Sequence, residues 1–536
     1  MTASIRVDVE KVDRARECAR AIADDIHKHI DAHTTDSTER ATLRLLGVVG
    51  ANEIEVPLVN VVVEHGRELL PGGIMRPFVD LMMQSGKSAQ EAAEGVARGE
   101  LELAAVPAER RAGVETRCSE LARESVAGLD QVRHAREDFI DGYGSPCTPW
   151  AYVMVATGNI HADAVQAVAA ARAGADVIAV IRTTAQSLLD YVPYGETSEG
   201  FGGTYATQEN FRLMRTALDE VGAELGRYVM ACSYASGLCM PEIAYMGSIE
   251  RLDVMLNDSM YGIVFRDISM QRTLVDQYLA RLLNARAGII INTGEENYLT
   301  TTSQWTAGHT VITSDFLNEE FAKRAGLQPW QIGATSAFQM DTATPDQVVY
   351  QIADAQLVRQ LFPEAPLKFQ PPTKYVTGDI FTTNVIDAMY NFTGIFTQQG
   401  ILCLSMLTEA LHTPLLQDRY LSIKNAKYVF ESCRHLSDQF EVKSDSLIQK
   451  RADELLDAGL AQLERVCETG LFAALEKGEF ADVERDPEGG RGIEGVIKRA
   501  PDYCNPFFAA LQKGSGVGEP EHPKPWGAAS FEKGVC

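Results

Sequence analysis

Between residues 150 and 407, short apolar segments recur at 152–156, 177–182, 228–234, 261–266, 289–292, 331–335, 367–370 and 401–405. None alternates apolar with polar residues along most of its length, which is the pattern of strands covered on both faces, as in a parallel sheet behind helices. The stretches between them carry helical period instead. Residues 161–173 are rich in alanine; Phe211, Met214, Leu218 and Val221 fall on one face of a helix over 209–225, and Leu274, Tyr278 and Leu282 do the same over 271–286. Gly174, Gly226, Gly288 and Gly400 stand where such helices should stop before the next strand. Eight units of this kind predict an α/β fold, a closed (β/α)8 barrel of TIM type over residues 149–410. An open doubly wound sheet is the alternative.

The flanks read as mainly helical extensions, a packing and assembly region over 1–148 and a C-terminal region over 411–536. Val12, Ala15, Ala19, Ile22, Ile26 and Ile30 line one face of an N-terminal helix. His27, His29 and His33 lie near it, but His27 and His29 point to different sides of a helix, so they read as solvated and not as a metal site. The prolines in 143–150 end the preceding helix and open the barrel. A helix over 447–466 and a tail rich in Gly and Pro from residue 486 close the chain. That composition does not describe a further nucleotide-type α/β domain.

Composition narrows the classes. The chain of 536 residues is 45% apolar, ample for a core. It shows no membrane-length apolar run and no signal peptide, and a cytoplasmic protein is expected. Ten cysteines without Cys-x-x-Cys or Cys/His spacing argue against a disulfide framework or a zinc site. A net charge of −25 argues against nucleic acid, whose phosphates need a basic footprint. The glycine-rich stretch 194–205 has neither Gly-x-Gly-x-x-Gly spacing nor a Walker lysine, which excludes the usual dinucleotide and triphosphate loops. It is either a loop over the substrate or a long connection.

In a barrel the C-terminal ends of the strands build the active site. Arg182 with Ser187, Ser233 with Ser236, Tyr261 with Arg266, Asn292 followed by Glu295, Glu296 and Asn297, and Lys368 all fall there. Hydroxyls, two arginines and one lysine suit an anionic ligand, because guanidinium groups bind phosphate or carboxylate in bidentate fashion and hydroxyls add donors.

Several of these residues lie in longer stretches. Arg182-Thr-Thr-Ala-Gln-Ser187, Pro193-Tyr-Gly-Glu-Thr-Ser-Glu-Gly-Phe-Gly-Gly-Thr-Tyr205, Cys232-Ser-Tyr-Ala-Ser-Gly-Leu-Cys-Met-Pro-Glu242, Tyr261-Gly-Ile-Val-Phe-Arg-Asp-Ile-Ser-Met270 and Asn292-Thr-Gly-Glu-Glu-Asn-Tyr-Leu-Thr300 resemble the large alpha subunit of lysine 5,6-aminomutase. The resemblance covers nearly the whole chain. It implies an isomerase whose barrel binds pyridoxal 5'-phosphate and pairs with a small beta subunit carrying adenosylcobalamin, as an α2β2 assembly. The implied reaction is a radical 1,2-shift of the terminal amino group of D-lysine or L-β-lysine from C6 to C5.

Carried over by position, the resemblance implies that Arg182, Ser187 and Ser236 hold the cofactor phosphate and that Tyr261 stacks on the pyridine ring. Arg266 would lie near that phosphate or the substrate carboxylate. Glu296 and Lys368 would approach the ring's polar groups or the substrate, with Asn297 as a further contact; a member of the family has aspartate where this chain has Glu296. The covalent anchor of the cofactor is implied to be a lysine of the partner subunit, so Lys368 would not carry it. No histidine here stands in the Asp-x-His-x-x-Gly context that cobalamin binding requires, so the corrin is expected from another chain. This separates the reading from the ornithine 4,5-aminomutase large subunit, which carries its cobalamin domain in one longer polypeptide. An ornithine-type enzyme and a non-catalytic barrel scaffold are the alternatives; no metal ligand set is expected in this chain.

Overall fold

The computed structural model describes residues 4–144, 147–155, 157–180, 190–191, 196–197, 200–201, 203–337, 341, 344–371 and 373–513. Its centre is a ring of parallel strands: β1 (Trp150–Val155), β2 (Val177–Val180), β3 (Met230–Tyr234), β4 (Val254–Leu256), β5 (Ile290–Asn292), β6 in two pieces (Ile332–Gly333 and Thr335–Ala337), β7 (Lys368–Gln370) and β8 (Ile401–Cys403). Consecutive strands pair in parallel, as at Tyr152↔Val177, Ile178↔Ala231, Cys232↔Val254 and Leu256↔Asn292. β8 returns to β1 through Ile401↔Trp150. The first piece of β6 pairs with β5 and the second with β7. Only Ala334 separates the two pieces, so the ring is closed and the expected TIM-type barrel is present. Close approach at this break needs glycine: a Cβ on Gly333 would stand 2.7 Å from the Ile291 carbonyl oxygen.

Burial on both faces explains why the strands do not alternate in polarity. Tyr152, Ala179, Met230, Cys232, Leu256 and Cys403 belong to one apolar cluster inside the ring. Their neighbours Val153, Ile178, Ala231, Met255, Ile291 and Leu402 belong to the cluster beneath the helices. A helix follows each strand; the last, Leu416–Cys433, packs on helix Ile160–Ala173 and on β1.

One expected strand is a helix. Residues 261–266 are rich in β-formers, yet Ser259–Arg266 is helical and the fourth strand is the shorter Val254–Leu256. The buried Met260, Ile263 and Val264 follow an i, i+3, i+4 spacing, and the Asp258 side chain caps the first turn, so burial and capping override strand propensity. Gly400, expected as a helix stop, does not act as one; helix Ile380–Phe396 ends at Thr397, and Gln398 takes the positive φ of 57°.

The flanks wrap this ring. Helix Val9–Ala32 buries the predicted stripe against helices Leu447–Thr469 and Gln304–Arg324. A short antiparallel pair, His33–Thr35 with Val496–Lys498, joins the N-terminal and C-terminal segments. Every residue of helix Asp36–Leu45 is buried, and it packs on helix Met240–Ile249 beside β3. Among the described residues no helix is long and apolar enough to cross a membrane.

Candidate active site

The C-terminal ends of β3 to β7 bring their polar residues to one rim. Ser236 lies two residues past the end of β3, and the helix that follows β4 lies against it. That packing depends on Gly262, because a Cβ there would stand 2.7 Å from the Ser236 carbonyl oxygen. Tyr261, on the first turn of the same helix, stands over the loop after β5, since a Cβ on Gly294 would lie 3.8 Å from the Tyr261 Cβ. Asp258 fixes the start of this helix and the next loop together: one carboxylate oxygen accepts the Met260 N–H (3.0 Å) and the other the Gly294 N–H (3.1 Å). Asn297 donates to the Gly294 carbonyl (2.8 Å) and to Glu296 (3.1 Å), closing the loop after β5.

Glu296 is the polar centre of the rim. The same carboxylate oxygen accepts the Gln370 side-chain amide at 2.7 Å and faces the Lys368 Nζ at 3.6 Å, an ion-pair contact longer than a hydrogen bond. Lys368 and Gln370 are two residues apart on β7, so the strand period points both toward Glu296. Burial raises the Glu296 pKa, and the pull of Lys368 offsets this only in part. Burial likewise raises Asp258, against the pull of Arg281, and raises Glu295 and Asp315, where the neighbouring carboxylates push in the same direction. Arg281 sits among them, bound to Asn257 and Asn318, and burial lowers its pKa to about 10.

Buried polar groups are normally hydrogen-bonded. Here, among the described residues, Ser236 Oγ, both side-chain polar atoms of Asn292, Glu296 Oε2 and Lys368 Nζ are buried without a hydrogen-bond partner. Ser236 lies just past β3, Asn292 ends β5, Glu296 follows it, and Lys368, which opens β7, reaches the same place through Glu296. Such a set awaits a ligand with several acceptors and donors, and the Tyr261 ring beside it offers an aromatic face. It fits an aromatic, phosphate-bearing cofactor.

The structure thus brings together Ser236, Tyr261, Glu296, Asn297 and Lys368. Arg266 closes the helix on whose first turn Tyr261 lies; five residues apart, their side chains diverge by about 140° and about 7.5 Å along the axis. Arg182 and Ser187 lie outside the described residues, as does most of the glycine-rich stretch 194–205. Sequence reasoning missed Asp258 and Gln370. A cap signal at Asp258-Ser259 and the i, i+2 relation of Gln370 to Lys368 were the available signs.

A closed parallel barrel whose polar groups converge on the C-terminal rim is an enzyme of the TIM-barrel class. The family described as "D-Lysine 5,6-aminomutase TIM-barrel domain of alpha subunit" matches residues 5–510. The lysine 5,6-aminomutase alpha subunit of Acetoanaerobium sticklandii is 51% identical over 509 residues, covering 95% of this chain and 98% of that one. That of Fusobacterium nucleatum subsp. nucleatum is 47% identical over 506 residues, covering 94% and 98%. The D-ornithine 4,5-aminomutase subunit beta of Acetoanaerobium sticklandii is 27% identical over 369 residues, 66% of this chain and 50% of its own. The chain belongs to the lysine 5,6-aminomutase alpha-subunit family, a family of isomerases.

Proposed function

We propose that the chain is the large subunit of an adenosylcobalamin- and pyridoxal-phosphate-dependent aminomutase that moves the terminal amino group of D-lysine or L-β-lysine from C6 to C5. When bound, the two cofactors supply radical initiation and electron delocalisation for the shift; the chain's residues bind, orient and exclude water. Tyr261 presents its ring to the face of the pyridine. Ser236 donates its buried hydroxyl to the phosphate, with Arg182 and Ser187 supplying the remaining contacts. Lys368 holds its ammonium toward a cofactor or substrate oxygen while Glu296, kept in place by Gln370 and Asn297, balances its charge. Asn297 orders the loop that carries Glu296, and Arg266 takes the substrate carboxylate, since it points away from Tyr261. The corrin comes with a small beta subunit in an α2β2 assembly, consistent with relatives named as alpha subunits.

The observation that carries this reading is the group of buried polar atoms on one rim that have no hydrogen-bond partner among the described residues. The test is titration of the assembled enzyme with pyridoxal phosphate. Tyr261→Ala and Ser236→Ala should each weaken binding at least tenfold with the far-ultraviolet circular dichroism unchanged. Equal affinity in both variants would remove the assignment.

A further inference from the structure

At the end of β8 the barrel mouth carries a second polar group, separate from the one around Glu296. Lys368 pairs in register with Ile401, which brings Cys403 level with Gln370 on β7. Ile401 and Cys403 face the inside of the ring, while Leu402 and Leu404 lie beneath the helices. The ladder continues past the strand, since the Leu404 N–H donates to the Tyr152 carbonyl at 2.9 Å. By the same two-residue period Ser405 faces inward, one step above Cys403. Its hydroxyl donates to Glu409 Oε2 at 3.3 Å, so the half-buried Glu409 carboxylate stands at the inner edge of the mouth. Burial pushes the Cys403 thiol up to about 12; Lys368 opposes this, and Glu409 and Glu296 add to it, so all three charges surround one point on the rim.

Asp387, on the helix after β7, turns toward this group. It is 2% exposed, neither of its oxygens has a hydrogen-bond partner among the described residues, and the buried Thr408 hydroxyl next to Glu409 has none either. Buried carboxylates are ordinarily paired with a cation or bound to a metal. Asp387 and Glu409 have neither: no cationic side chain of the described residues offsets them, burial pushes both up to about 7, and no group of acidic, histidine or cysteine side chains there could hold a metal ion. An ammonium group supplies what is missing, a positive charge with three N–H donors and no acceptor. A diamino acid brings two amines to the mouth, and the one that does not migrate stays an ammonium. We propose that Asp387 and Glu409 bind the non-migrating ammonium of the substrate and so select diamino acids over acids that carry only the terminal amine, an inference that rests on the function proposed above.

The test compares D-lysine and L-β-lysine with 6-aminohexanoate, which keeps the carboxylate, the chain and the terminal amine and lacks the second amine. The assembled two-subunit enzyme, loaded with pyridoxal phosphate but not adenosylcobalamin, is titrated with each compound and followed by the cofactor's absorption. Wild type should bind the better of the two diamino acids at least tenfold more tightly than 6-aminohexanoate, as expected for charge-assisted hydrogen bonds. Asp387→Asn and Glu409→Gln should each weaken the diamino acid at least tenfold while leaving the affinities for 6-aminohexanoate and pyridoxal phosphate unchanged. If circular dichroism shows that one variant misfolds, the other decides by the same criterion. Variants that keep the wild-type preference overturn the proposal, because the carboxylates then serve another cation or none. Equal loss for diamino acid and 6-aminohexanoate also overturns it, since that marks a structural role, and so does a wild type without the preference. A wild type whose cofactor absorption responds to none of these compounds refutes the proposed function itself, an outcome distinct from the others.

Discussion

Glu242→Gln is the sharpest test of how the flanks hold the rim. One Glu242 oxygen accepts Arg40 Nε at 2.7 Å, the other accepts Arg44 Nε at 2.6 Å, and all three side chains are buried. Glutamine keeps the shape but removes the charge and turns one acceptor into a donor aimed at a guanidinium. Removing one partner of a buried pair costs about 3–5 kcal/mol, against about 0–1 for an exposed pair. The same loss should reach the site. Arg40 also donates to Asp190 (3.1 Å) and to the Leu238 carbonyl (3.3 Å), two residues past Ser236, and Arg272 shares both acceptors. Urea unfolding at pH 7 should show a loss of about 3–5 kcal/mol, and pyridoxal phosphate affinity should fall. Burial alone would raise the Glu242 pKa, but Arg40 and Arg44 outweigh it and hold it below the usual value. A depressed carboxylate stabilises the fold above its unfolded pKa, about 4.3, and loses this as pH falls through its folded pKa. The gap between wild type and variant should thus be constant through neutral pH and close only below about pH 4. A loss under about 1 kcal/mol, or a gap that closes between pH 5 and 7, would refute the reasoning.

Asp258→Asn leaves either the Met260 or the Gly294 N–H without its acceptor, at a cost of about 1–3 kcal/mol; urea unfolding should show the loss, and cofactor titration a weaker affinity. Asp387 and Glu409 are pushed up to about 7, chiefly by burial, so the folded state binds more protons than the unfolded chain between about pH 4 and 7. Asp387→Asn should therefore be stabilising, with a gain over wild type that grows as pH rises from 5 to 8 toward an upper bound of about 4 kcal/mol, and a gain independent of pH would exclude that ionisation. Arg485→Ala should weaken cofactor binding measured by titration while leaving the helices outside the rim protected from hydrogen exchange. Borohydride reduction of the assembled resting enzyme followed by peptide mapping should leave Lys368 without a pyridoxyl group.

The barrel was legible because seven of its strands carry apolar runs long enough to see. The fourth failed for a physical reason: the longer apolar run just after Val254–Leu256 has the composition of a strand, yet it gains more by capping on Asp258 and burying Met260, Ile263 and Val264 as a helix. Ser236, Glu296, Asn297 and Lys368 were readable as rim residues since position at a strand end is a local property. What ties them together was not. Arg485 meets Ile263, Arg40 meets Glu242, and Gln370 meets Glu296 across long stretches of chain, and no local spacing encodes such contacts.

Those long-range ties have a common target. The helix Ser259–Arg266 has eight residues, too few to stand alone in water. Asp258 caps its first turn and binds it to the Glu296 loop; Gly262 lets its middle sit on Ser236. At its end Arg485, from the C-terminal segment, donates to the Ile263 carbonyl (2.9 Å) and to Val264, placing a cation where the helix dipole favours one. The same segment goes on to pair Arg491 with Asp267 and Ser269 through the backbone. Tyr261 is therefore oriented by three parts of the chain at once. Such a ring can be held flat against a ligand without ligand-induced ordering, which lowers the entropic cost of binding.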